Sequence, residues 1–430
     1  MSLLDRRTFL KSVASTTGAT PLLGRFLEGA FIEGARIPRR KLPVAAIVTE
    51  YRDRSHADVI VGKILEGFQQ DGDAGADLYL ASLFTYQVPE GDMSRGLAAK
   101  YGFPIVDTID EAITLGSDQV KVAGVLSIGE HGSYPYTPDT QQHMYPRRRF
   151  FDEISASFRR TGSVVPVFND KHLSYRWRDA SHMVETAREM KFPLMAGSSL
   201  PVTWRRPADM LPIGTQIEDA LTIGYGGYES YGFHALETHQ SLIERRRGGE
   251  SGVKGIQALR GDAVWQAETA GRWSRELAEA AFAAIPDVPK GKWEAALAQD
   301  AAWYLIDHHD GLRSSVVMAN GVSRHFAVAL RVKGRRDPVV TWFQLQEGKP
   351  YLHFAYLLKA IEHLIHTGEP PYPVERTLLT TGILDRAMHS LFNSGKRFLT
   401  PELAFGYQPS DWPYANHPAS QLRLNLPESG

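Results

Sequence analysis

Leu42 to Thr49 reads Leu-Pro-Val-Ala-Ala-Ile-Val-Thr, a short unbroken apolar run, rich in Val and Ile, that ends on a polar residue. A run of this length and composition has the character of a strand buried on both faces. Just downstream, Val59, Ile60, Ile64, Leu65 and Phe68 recur at helical spacing and share one face. The alternation then repeats. Strand-like runs at 77–84, 104–106, 122–128, 164–168 and 193–196 are separated by helix-like runs at 93–101, 108–115, 149–161 and 175–190. Gly102 and Gly162 stop two of these helices. Buried strands alternating with amphipathic helices imply an α/β architecture, a parallel sheet covered on both faces. In such sheets ligands sit at the carboxyl ends of the strands.

Beyond residue 200 the pattern changes. Strand-like runs at 255–259, 313–319, 325–332 and 338–345 are interrupted by expected helices at 273–284 and 293–304. Trp265, Trp273, Trp293, Trp303 and Trp342 all fall in this half. They would stack on sugar faces or fill a core, and their helix and strand positions favour the core. The reading divides the chain into a Rossmann-like domain at 41–200, an α+β domain at 201–400 with closing helices at 354–395, and a tail at 401–430 rich in Pro, Asn and Ser. The tail is expected to wrap the surface.

Composition narrows the function. With 430 residues, 43% hydrophobic and 23% charged, the chain can bury a sizeable core. A net charge of −1 leaves no electrostatic footprint for nucleic acid. Arg147-Arg148-Arg149 and Arg245-Arg246-Arg247 read as local features. No cysteine is present, which excludes disulfides, thiolate nucleophiles and Cys-based metal sites. No apolar run reaches the roughly 20 residues of a membrane span. At the N-terminus, Arg6-Arg7-Thr8-Phe9-Leu10-Lys11 followed by a mildly apolar Ser/Thr/Ala-rich stretch has the pattern of a twin-arginine export signal occupying 1–35. It implies the Tat machinery as a partner and a periplasmic or extracellular destination.

Four stretches carry a resemblance. They are Lys100-Tyr101-Gly102 with Thr108 to Ala112; Val165 to Lys171 with Pro193 to Gly197; Tyr225 to Gln240; and Phe354 to Leu391 with its Gly-Glu-Pro-Pro loop. In this order and spacing they resemble the oxidoreductase family named for glucose–fructose oxidoreductase and inositol dehydrogenase (Gfo/Idh/MocA). The resemblance spans nearly the whole chain after the signal. It implies a Rossmann domain followed by an α+β domain with an open, mainly antiparallel sheet, an NAD or NADP cofactor, a sugar or polyol substrate and a homo-oligomer. It also implies Lys171 and His234 as catalytic groups with Glu237 beside them. The chemistry suits the residue types: imidazole exchanges a proton near neutral pH, and an ammonium polarises an oxygen. Glu237 would orient the imidazole or hold a sugar hydroxyl.

The sequence departs from that pattern at the cofactor. Dinucleotide binders place Gly-x-Gly-x-x-Gly after the first strand. Here the turn is Thr49-Glu50-Tyr51-Arg52-Asp53-Arg54-Ser55, without glycine and with a carboxylate where phosphate belongs. Thr49, Arg52 and Arg54 are the remaining candidate cofactor contacts, the arginines as side-chain phosphate ligands. No acid ends the second strand to hold a ribose. After the fourth strand a long polar loop adds Glu130 and His131, also candidates for the cofactor region. After the fifth come Asp170 and His172, which with Tyr231 are candidates for substrate. A metal is not expected; Glu130, His131 and His234 form a weak alternative ligand set, and neither they nor His308-His309-Asp310 have a ligand spacing that supports one. Three functions follow in order of preference: an exported sugar or polyol oxidoreductase; a carbohydrate hydrolase or lyase lacking a normal nucleotide site; and a non-catalytic carbohydrate-binding protein.

Overall fold

The expected first strand forms as β1 (Leu42–Val48), and it organises the layer around it in the computed structural model, which describes residues 40–426 except 209–210, 287, 289–292 and 298–299. The twin-arginine motif lies outside the described residues. Around β1 the chain builds α1 (His56–Glu66), β2 (Leu78–Thr85), α2 (Ser94–Tyr101), β3 (Ile105–Val106), α3 (Ile109–Thr114), β4 (Gly124–Ile128), α4 (Arg147–Thr161), β5 (Val167–Asp170), α5 (Trp177–Met190) and β6 (Leu194–Gly197). The six strands pair in the order β3-β2-β1-β4-β5-β6, all parallel. Successive side chains of a strand point to opposite faces. Accordingly Val44, Ala46 and Val48 join a core with α1, while Ala45 and Ile47 join another with α3, α4 and α5. Strand order reverses between β1 and β4, and the crevice above that point is where such sheets bind ligands.

The second half comprises β7 (Trp204–Arg206), β8 (Ile217–Gly224), α6 (Ser230–Ile243), β9 (Val253–Leu259), α7 (Asp262–Thr269), α8 (Arg275–Ala283), α9 (Trp293–Leu297), β10 (Ala301–His308), β11 (Arg313–Ala319), β12 (Phe326–Val332), β13 (Val339–Gln344), α10 (His353–Thr367), α11 (Val374–Phe392) and β14 (Phe398–Leu399). Its eight strands order as β14-β9-β10-β11-β8-β12-β13-β7, and only β11 and β8 pair in parallel. The fold is thus the Rossmann-like parallel layer followed by an open, mainly antiparallel α+β layer. One face of this sheet packs against α6 and α11. The other is covered by the chain itself: Leu277, Ala278, Ala281 and Phe282 of α8, with Trp273, Trp293 and Trp303, close over Leu221, Val317 and Ala327. The tryptophans of this half are largely core.

Two expectations change. The helix expected at 293–304 ends at Leu297, and Ala301–His308 is strand β10, buried along its length and paired on both sides by β9 and β11. A central place in the sheet overrides the helix-forming residues just before it. Helix α10, grouped with the second domain, instead places Leu357, Leu358, Ile361 and Leu364 in the core beneath β1 and α1. The tail is also more than a surface wrap. Tyr414 and Ala415 are buried, and Asn416 accepts from the Arg205 amide at 2.9 Å and donates to its carbonyl at 2.8 Å. No helix among the described residues is long and apolar enough to cross a membrane.

Candidate active site

Loops at the carboxyl ends of β1, β4 and β5 each hold a non-glycine residue in the left-handed region: Arg54 at φ 61°, His131 at φ 70° and Lys171 at φ 63°. Such backbone is costly for residues with a Cβ and concentrates at functional sites. Lys171 is fixed there by its amide, which donates to the Gly197 carbonyl at 3.0 Å. Gly197 sits at φ 132°, and a Cβ on it would stand 2.7 Å from Glu237 Oε2, so glycine is required where β6 meets α6.

Two cavities open above these loops. The larger, about 640 Å³, includes Glu130, His131, Tyr145, Lys171, Glu229 and Arg260 in its lining. The smaller, about 450 Å³, is lined in part by Arg54, Tyr225, Arg324, Tyr351 and Phe354. His56, His131, Tyr231 and His234 belong to both linings and form the wall between them. Two of these imidazoles are held from behind through Nδ1. His56 Nδ1 lies 2.6 Å from Asp170 Oδ2, and His234 Nδ1 lies 2.6 Å from Ser198 Oγ. The Ser198 hydroxyl also accepts from the Leu200 amide at 3.1 Å.

Beneath the wall is a buried ionic network. Glu130 pairs with Arg147 through Oε2 and with Lys171 Nζ through Oε1 at 2.9 Å. Arg147 Nη1 stands 3.0 Å from His172 Nε2, which is itself 2.9 Å from Glu229 Oε1. Burial works to raise the Glu130 carboxyl, but Lys171 and Arg147 together hold it well below the usual carboxylate range. Burial, reinforced by Lys171 and His56, pushes His234 well below the ordinary imidazole value, so its ring is neutral. His131 is pushed down to about 3 by burial, with His56 adding to the effect.

The residues named from sequence divide into two groups. Lys171, His234, Tyr231, Glu130 and His131 converge on the larger cavity, and Arg54 reaches the smaller. Arg52 turns to Glu50 Oε1 at 2.5 Å and to His131 Nδ1 at 3.4 Å. The others lie behind the wall. Thr49 donates to the Glu130 carbonyl at 2.6 Å and braces the loop. Asp170 is spent on His56, and His172 is enclosed between Arg147 and Glu229. Glu237, expected beside the imidazole or a sugar hydroxyl, is wholly buried and accepts from Thr377 at 3.1 Å, Thr380 at 2.9 Å and the Ser198 amide at 3.4 Å. Ser198, not Glu237, holds His234. The sequence reading missed His56, Ser198 and Arg147. His56 opens α1 with no spacing signal, and Arg147 was hidden inside a run of three arginines.

No family model matches the chain, and no curated protein matches it. Solved structures share its fold. GenD2 from gentamicin A biosynthesis, solved in complex with NAD, is 13% identical, over 89% of this chain and 99% of that one, with a TM-score of 0.51. A probable dehydrogenase from Thermotoga maritima is 13% identical over 84% and 100%, with a TM-score of 0.51. The myo-inositol 2-dehydrogenase from Lactobacillus plantarum is 12% identical over 84% and 99%, with a TM-score of 0.51. At such identities the likeness establishes the fold.

One of these structures holds NAD, and the residues at the end of β1 here do not fit a dinucleotide. A pyrophosphate needs free amides at the start of α1. Here Ser55 Oγ accepts from the amides of Arg52 and Asp58, both at 3.3 Å, and Asp58 Oδ2 accepts from that of Arg54 at 2.9 Å. Glu50 and Tyr51 are buried in the same turn. The long loop after β4 crosses over the ends of β1 and β2. Gln87 exchanges two hydrogen bonds with Ser133, at 2.9 and 3.0 Å, and Tyr134 stacks on Tyr86 at 6.3 Å between centroids. Protein therefore covers the path along which an adenosine would run. Among the described residues, no group of three or more His, Asp or Glu is placed to hold a metal ion. Glu130 of the candidate ligand set is instead occupied by Arg147 and Lys171.

Proposed function

We propose that the chain is a carbohydrate-directed enzyme, a divergent member of the glucose–fructose oxidoreductase and inositol dehydrogenase family, that moves protons in the larger cavity without a dinucleotide in the usual cradle. The observation that carries this reading is the wall of His56 and His234, two imidazoles anchored at Nδ1 with Nε2 left to exchange protons with a ligand. Asp170 accepts from His56 Nδ1–H, which fixes the tautomer whose Nε2 is a base. Neutral His234 works as acid or base according to whether its Nδ1 accepts from Ser198 or donates to it. Lys171, poised beside Glu130, polarises a substrate oxygen. A base on one side and an acid on the other is the requirement of hydrolysis or elimination at a sugar. Tyr231 and Tyr145 supply aromatic faces for the ring.

Oxidation of a sugar or polyol is the second reading, favoured by the fold shared with a myo-inositol 2-dehydrogenase and with GenD2, which was solved with NAD. It needs a nicotinamide nucleotide bound away from the filled turn. Native against denaturing mass spectrometry of the purified full chain, with elemental analysis of the same sample, separates the two. A chain free of nucleotide that turns over a glycan or sugar acid, and loses that turnover in Lys171→Ala, fits the proposal. A released nicotinamide nucleotide transfers it to the redox reading. We further propose export through the twin-arginine route to the periplasm or beyond. A reporter fused after residue 39 should reach that compartment and remain inside when Arg6 and Arg7 are both changed to Lys.

A further inference from the structure

Outside both cavities, three guanidiniums converge where the segment after β6, the end of α6, the start of α11 and the C-terminal tail meet. Arg205, Arg245 and Arg376 line a void of about 20 Å³ together with Ser241, Glu244 and Tyr372. Their charges do not balance. Arg376 Nε is matched by Glu244 Oε2 at 2.9 Å, and Arg245 by Asp411 at 2.7 Å. Arg205 has no ion-pair partner among the described residues. Its side chain is 4% exposed, and its one hydrogen bond runs from Nη2 to the Pro201 carbonyl at 3.1 Å. Among the described residues its Nε and Nη1 are buried without partners, and so is the Tyr372 hydroxyl. Arg205 is flanked by the rings of Tyr414, 4.3 Å away, and Phe343, 5.1 Å away, which supply no counter-charge.

A buried cation with unmade hydrogen bonds is a large cost unless something answers it. The unpartnered atoms are guanidinium donors and a hydroxyl able to donate. A water placed there could give its protons to Ser241 Oγ, but it would bring no charge to answer the guanidinium. Glu244, the nearby carboxylate, is already engaged by Arg376 and by the Tyr407 hydroxyl. The void suits a single monatomic species and is too small for phosphate, sulfate or a sugar acid. We propose that it binds one halide ion, chloride in nature, held by Arg205 and the Tyr372 hydroxyl. The ion ties the inter-sheet segment, α6, α11 and the tail into one junction. Burial otherwise pushes the Arg205 guanidinium down to about 9, and a bound anion relieves that pressure.

Bromide is the probe. Crystals of the full chain grown in sodium bromide should show an anomalous peak between Arg205 and Tyr372; its absence there overturns the proposal. In solution, Tm should rise saturably with sodium chloride against sodium gluconate of equal ionic strength. The Arg205→Met chain should lose that rise. A wild-type Tm that follows ionic strength alone, whatever the anion, also overturns it. The bromide experiment uses the wild-type chain and decides the matter even if Arg205→Met does not fold.

Discussion

Single side chains decide the chemistry at this site. His234→Gln and His56→Gln should each lower kcat by roughly 10²- to 10⁴-fold on the true substrate, the range for losing a positioned acid or base. Asp170→Asn should leave binding intact and lower kcat, because the imidazole behind which it sits would lose its fixed tautomer. Since His234 is held well below the usual imidazole range, the activity it supports should persist as pH falls through about 6.5, and should be lost only when pH falls through the lowered value. A rate that halves near 6.5 would show that protonation of a group other than His234 limits it. Glu130→Gln removes the partner of Arg147 and Lys171 at once and should cost about 3–5 kcal/mol in urea unfolding. The sequence brought Lys171 and His234 forward through the resemblance, and Glu130, His131 and Tyr231 as candidates beside them. It said nothing of direction: Asp170 and His172 flank Lys171 in sequence, yet one turns to His56 and the other to Arg147.

At the level of elements, most of the first layer was legible because its buried parallel strands are largely apolar and several helices carry their own start or stop signals, Ser55 and Thr108 capping α1 and α3 and Gly102 and Gly162 ending α2 and α4. Thr108 and Glu111 form a reciprocal capping box on α3, and Thr108→Ala should lower stability by about 1 kcal/mol in thermal or urea melts. Strand β10 was illegible because Ala301–His308 follows a helix-forming stretch, and only pairing with β9 and β11 makes it a strand. The polar loop after β4 was visible as an insertion, but its path over β2 depends on the Gln87–Ser133 and Tyr86–Tyr134 contacts, which span long stretches of chain. Gln87→Ala should loosen that loop, seen as faster amide exchange at 131–136 with the exchange of β1 unchanged.

For the molecule as a whole, burial of neutral imidazoles makes acid the adverse direction. His131, His239 and His353 are each held near 3, chiefly by burial, while the unfolded chain takes up those protons near the ordinary value of about 6.5. Stability from these groups is complete above 6.5 and is lost as pH falls toward 3, on the order of 1.4 kcal/mol per pH unit for each. Raised carboxyls at Glu237, Asp219 and Asp385 act in the opposite sense. Tm should therefore drop on moving from pH 7 to 5, and a flat profile would show that the imidazoles are not closed off from protons. The face of the second sheet turned away from α6 and α11 is covered by α8 together with Trp273 and Trp293, so it is not left open to a second copy. Helix α11 packs in the cores of both sheets, and Thr377 on it bonds to the Ala196 carbonyl and to Glu237 alike. That makes it a keel running under both layers. With both layers seated on one keel, swinging them apart like a clamshell would break the packing of α11, which leaves Tyr136 and Phe392, 56% and 53% exposed in the lining of the larger cavity, as its threshold.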